Sequence, residues 1–172
     1  MARNTSFAVQ AARRCSRFWA WKRPCGKVRD LRAGPGLDTR GLQTIQPDGS
    51  IRTAFYEEWA VPPARGAEDA LRGWLGASGI FSAVVSVGSR ATASMALEGE
   101  LTAFWVDLAA KTAHAAIAFI AIDVRTSGRP TILQATMRAT APVAEPIEGA
   151  QVRAQLAALA DVFGQIERAL FA

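Results

Sequence analysis

Residues 97–125 read LEGELTAFWVDLAAKTAHAAIAFIAIDVR: two runs of strand length joined by a short polar link. The first, 97–108, mixes glutamates with Leu97, Leu101, Phe104 and Trp105, as a half-solvated strand does. The second, 113–125, is apolar on both faces, which predicts a strand central in its sheet. TSGRP at 126–130 then offers a turn around Gly128. Beyond it, TILQATMRAT sets Leu133, Ala135, Met137 and Ala139 against Gln134, Thr136, Arg138 and Thr140. That alternation predicts a third strand with one wet face.

Downstream of the meander, apolar residues recur at Val152, Leu156, Leu159, Phe163, Ile166 and Leu170, in steps of four and three. This is a helical seam, and it must dock on the sheet or on a partner. Upstream, Leu37–Ile45 and IRTAFYEEW (51–59) flank QPDGS, whose Pro47, Asp48 and Gly49 carry turn chemistry, so a hairpin is expected. With period two, Ile51, Thr53, Phe55, Glu57 and Trp59 share one face and Tyr56 takes the other. Pro62 and Pro63 end the ladder. A first helix follows, with Ala67, Ala70, Leu71, Trp74 and Leu75 on one stripe, Glu68 and Asp69 favouring its N-terminal turn, and Gly79 as its stop. IFSAVVSV at 80–87 reads as a short strand. The expected fold class is therefore α+β, an antiparallel sheet with two helices packed on one face.

The formal charge of +5 is unevenly spread. Residues 1–40 hold ten Arg and Lys against Asp30 and Asp38, so the remainder is mildly acidic. Residues 1–29 contain no acid and no sustained apolar period, and are expected not to fold alone. They read as a solvated basic arm, an organelle-type presequence, or a stretch translated from an unnatural start. The domain expected is 30–172. No run approaches the ~20 apolar residues a membrane-crossing helix needs, and no export signal is recognisable.

Chemistry-bearing groups are sparse. Cys15 and Cys25 fit no zinc spacing; a local disulfide and a pair of uninvolved thiols both stay open. His114, the single histidine, opens a strand of alanines and isoleucines. Glu57 and Glu58 point to opposite faces of a strand, and Glu98 and Glu100 alternate with leucines as on any solvated strand. GASG at 76–79 is not a nucleophile elbow, and GPG at 34–36 is not a phosphate loop. No catalytic centre, cofactor site or metal site is expected. Basic residues and aromatics interleave only at Arg17–Arg23, which excludes a folded platform for specific nucleic-acid recognition.

Taken together, GPGLDTRGL (34–42), DGSIRTAFYEEWAVPP (48–63), the helix ALRGWLGASGIF, the strand LEGELTAF (97–104) and the alanine-rich last helix carry a family pattern. From about Val28 onward the chain resembles the auxiliary lipoprotein component of ABC-type transport systems, the family that includes the paraquat-inducible C-type membrane-integrity lipoprotein. The resemblance implies a non-enzymatic accessory of intermembrane lipid transport in the periplasm, associated with the outer membrane. The implied partners are a mammalian-cell-entry-type lipid-binding protein and an ABC permease with its ATPase, with lipid or a second copy of the chain as further contacts. Neither ARRC (12–15) nor KRPC (22–25) is a lipobox, and the family's first strand is expected to be missing. Tyr56, Trp59, Trp74, Phe104 and Trp105 are the candidate contact residues. The alternative reading is a carrier whose sheet and helices enclose an apolar ligand, lined by Trp59, Trp74, Phe104, Trp105 and Phe119.

Overall fold

In a computed structural model, which describes residues 24–145 and 147–171, nine elements follow one another. They are β1 (Cys25–Ala33), β2 (Gly41–Ile45), β3 (Ile51–Glu58), α1 (Pro63–Ser78), β4 (Ala83–Val85), β5 (Met95–Asp107), β6 (Thr112–Asp123), β7 (Thr131–Pro142) and α2 (Glu148–Phe171). The meander read from 97–140 is β5–β6–β7, antiparallel throughout. The expected conformation of Cys15 lies outside the described residues, and Cys25 carries a free thiol.

The fold is α+β, as expected, and its sheet is mixed, with parallel pairs beside the expected antiparallel ones. One edge of β5 pairs with β6; the other is shared end to end by two strands, both parallel to it. β1 lies along Met95–Leu101, and β2 meets only Val106 and Asp107. β4 extends β1 in parallel and β3 extends β2 antiparallel, so the sheet forks into two arms beyond β5. Hairpin signals are local and readable, whereas parallel pairing joins segments far apart in sequence and leaves no turn signature.

A correction concerns β1, a strand expected to be missing. It begins at Cys25, five residues before the boundary placed at Asp30. Val28 and Leu31 both face the core although they are three apart, because the register shifts between them. The bulge hides the period of two, and its residues Arg29 and Asp30 are charged. Glu68 of α1, only 2% exposed, reaches this bulge. Its Oε2 accepts the Leu31 N–H at 3.2 Å, while Oε1 accepts from Arg72 at 2.6 Å and Arg65 at 3.0 Å. The glutamate expected to serve a helix dipole instead fastens α1 to β1.

Both helices cover the face that carries Leu97, Leu101, Ile117, Phe119 and Ala139. Pro63 opens α1 and Gly79, at φ 77°, closes it in the left-handed region that glycine adopts freely. Ala67, Leu71 and Leu75 are buried as expected, and Trp74 leaves α1 to meet α2. Its ring lies edge-on to Phe163, and its Nε1–H donates to Glu167 at 2.6 Å. In α2 the predicted seam holds for Leu159, Phe163 and Ile166. Val152, Leu156 and Leu170 are only half-buried; Ala150, Gln151, Ala154, Gln155 and Ala158 face inward instead. Small residues on the helix match small residues on the sheet, where Ala113, Ala115, Ala139 and Ala141 are buried, so the first half of α2 can approach closely.

Candidate functional site

The strand β3 departs from ordinary packing, because nearly every residue in it is exposed. Its position follows from the sequence. Asp48 Oδ1 accepts the Ser50 N–H at 2.9 Å and the Ser50 hydroxyl at 2.6 Å, closing the β2–β3 turn. The Ser50 hydroxyl, then its N–H, hold the Asp48 carboxyl below the usual carboxylate range. From this turn the ladder runs regularly, Ile45 opposite Ile51 and Gln43 opposite Thr53, until the register shifts. Gly41 then faces Glu58, so residues 54–57 bow outward opposite Leu42 alone. A Cβ on Gly41 would sit 2.4 Å from the Ala54 carbonyl oxygen, so only glycine allows that approach.

The bow has a direct effect on the aromatic residues. Adjacent side chains in a regular strand point to opposite faces. Here the rings of Phe55 and Tyr56 meet edge to face with centroids 5.0 Å apart, correcting the expectation that they separate. They are 81% and 88% exposed and form a knob, with Ile51 at 70% nearby on the same strand. Exposed aromatic pairs of this kind are favoured at protein interfaces.

Trp59 secures the knob's exit. Its N–H donates to the Arg40 carbonyl at 2.8 Å, its own carbonyl accepts Arg40 Nε at 2.9 Å, and its ring packs 5.3 Å from Phe104. Phe104 is buried in the core, and Trp74 is committed to α2. Trp105 lies half-buried on the open face, stacked on His114 at 6.3 Å, with His114 Nε2 3.1 Å from Thr112 Oγ1. Of the five candidate residues only Tyr56 stands free in solvent, and the five do not converge. Phe55 and Ile51 join Tyr56 on the exposed strand although the sequence reading gave neither a contact role, since Thr53 and Glu57 on their own face are the one local sign that this face is wet.

The sheet's second face is uncovered by helices. Over β1, β5, β6 and β7 it forms a shallow depression of about 980 Å3. Ala118 and Ile120 lie on its floor, Val87 on its rim, and charged residues of β1 and β5 along one side. Arg29 there pairs with Glu98 at 2.7 Å. By contrast, the hollow bordered by Leu71, Leu97 and Ile166 between helices and sheet measures about 10 Å3, against the ~300 Å3 at which ligand pockets begin. The enclosed-carrier reading therefore loses the room it needs at that interior. Among the described residues no group of three or more His, Cys, Asp or Glu could hold a metal ion. No helix there is long and apolar enough to cross a membrane.

A family model described as "ABC-type transport auxiliary lipoprotein component" matches residues 22–167. The chain belongs to this family. Its fold is shared by protein XCC0632 from Xanthomonas campestris, with TM-score 0.70, 18% identity and 88% of each chain covered. PelC from Paraburkholderia phytofirmans, described as a dodecamer, superposes at TM-score 0.51 with 17% identity, covering 81% of this chain and 85% of its own. The hypothetical protein CT253 from Chlamydia trachomatis gives TM-score 0.52 at 12% identity, covering 85% and 98%. Among curated proteins none matches the sequence significantly. In this auxiliary component, β1 starts three residues inside the matched span, consistent with its place in the domain.

Proposed function

We propose that this auxiliary component is a non-enzymatic accessory of an ABC-type intermembrane lipid transport system, working in the periplasm or at the outer membrane. Its task is attachment: it docks on the transporter's mammalian-cell-entry-type lipid-binding protein and permease–ATPase, and on further copies of itself. The observation that carries the reading is the β3 knob, an aromatic pair exposed on an edge strand that pairs only with β2 among the described residues. Family membership supplies the transport context. The dodecameric description of PelC supports self-association as the mode of assembly.

The test is affinity purification of the tagged full-length protein from its native cells after mild crosslinking. Recovery of the permease, ATPase and lipid-binding protein supports the role, with loss of that recovery in Tyr56→Ser. A measured turnover abolished by Glu57→Gln or His114→Ala would replace this reading with an enzymatic one.

A further inference from the structure

The knob and the depression are unlike surfaces on one molecule, and we propose that they meet between copies: Phe55 and Tyr56 of one copy seat in the open-face depression of the next. This rests on the self-association read above and names the surfaces that carry it.

Shape gives the first argument. The knob is convex, and two convex knobs cannot bury each other. It needs a concave receptor, and the open-face depression of about 980 Å3 is one. None of the residues of β2 or β3 lines it, so the receptor belongs to another copy. Its apolar elements, Ala118, Ile120 and the 59%-exposed Val87, suit aromatic rings, each of which can bury ~150–250 Å2.

Charge gives the second. Around the depression Arg29 pairs with Glu98 and Arg32 with Asp30, whereas Lys27 and Glu100 make no ion pair among the described residues. On the arm Glu58 pairs with Arg40 at 3.5 Å, whereas Arg52 and Glu57 are left without one among the described residues. Each surface therefore keeps one unpaired charge of each sign. Glu57 would answer Lys27 of the next copy, and Arg52 would answer its Glu100. Different surfaces meeting in this way make a head-to-tail contact, which closes into a ring or extends into a filament.

The experiment uses the full chain, native mass spectrometry and size exclusion with light scattering. A knob variant (Phe55→Ser with Tyr56→Glu) and a depression variant (Val87→Asp with Lys27→Glu) change side chains that bear no core contact. Wild type is expected to be oligomeric and each variant monomeric, with circular dichroism unchanged. An equimolar mixture of the variants is expected to give a 1:1 dimer and nothing larger, since one intact knob and one intact depression remain. A monomeric wild type, including one that binds anionic vesicles through the knob, overturns self-association and this contact together. Oligomers that persist in either variant, or variants that fail to pair, overturn this contact alone. Should a variant unfold, Glu57→Lys and Lys27→Glu replace it: each weakens assembly and the two in one chain restore it, while no restoration refutes the pairing.

Discussion

Glu68→Ala is expected to be the most damaging single substitution outside the apolar core. The carboxylate is 2% exposed and has three donors: the Leu31 N–H, Arg72 and Arg65. Removing it strands the Leu31 amide in the β1 bulge beside β5, at a cost of ~1–3 kcal/mol for a buried donor left unmade. It also takes from Arg72, whose side chain is 21% exposed and whose Nε already lacks a partner among the described residues, one of two carboxylate partners, leaving Asp69 Oδ1 at 2.8 Å. Breaking a buried pair costs ~3–5 kcal/mol, reduced here because Arg72 retains Asp69 and some water. Arg65 is mostly exposed and adds little. The total is about 3–4 kcal/mol, which for a domain of this size lowers Tm by roughly 6–16 °C. Glu68→Gln keeps an acceptor for Leu31 and loses only the charge, so it should fall less than half as far. Thermal unfolding followed by circular dichroism, with urea titration as a check, reads both. A Tm within 2 °C of wild type for Glu68→Ala, or equal losses for the two variants, refutes the idea that this carboxylate fastens α1 to β1.

Gln155 is fully buried and neither of its side-chain amide atoms has a partner among the described residues, so Gln155→Met should stabilise by about 1–2 kcal/mol, read as a higher urea midpoint at unchanged slope. Gly41→Ala forces a methyl against the Ala54 carbonyl and should cost about 1–3 kcal/mol, with the chemical-shift changes confined to β2 and β3 in NMR spectra. Asp123, held at about 2 by hydrogen bonds from Arg125, contributes stability that is present above the unfolded carboxylate value and lost as pH falls through the folded one. The Tm gap between wild type and Asp123→Asn should accordingly be full at pH 7 and close between about pH 4 and pH 2.

Legibility in the sequence tracked locality. The ribbon β5–β6–β7 could be read because its strands are long, adjacent in sequence and joined by marked turns, down to Gly128 with φ 86°, despite register shifts at Leu101/Ala103 and Ala121/Ile122. α1 was equally plain, since Pro63 and Gly79 bracket it. β1 was not, because one bulge placed Val28 and Leu31 on the same face and surrounded them with charge. The seam of α2 was half right: leucine and phenylalanine positions dominated the reading, while the buried alanines and glutamines gave no apolar signal. Tyr56 was legible as a contact residue, but its union with Phe55 depends on a register shift that no local rule encodes. The depression draws on four strands and could be found only once they were assembled.

The division of labour within the sheet has an evolutionary corollary. Only Thr44 and Ile45 tie the β2–β3 arm to β5 in the ladder, with Trp59 resting on Phe104 as its buttress. The helices and the long ribbon keep the molecule folded without calling on the arm's outward side chains. Substitutions at Ile51, Arg52, Phe55 or Tyr56 are thus nearly silent for folding, and relatives can exchange binding preferences there while their architecture stays constant.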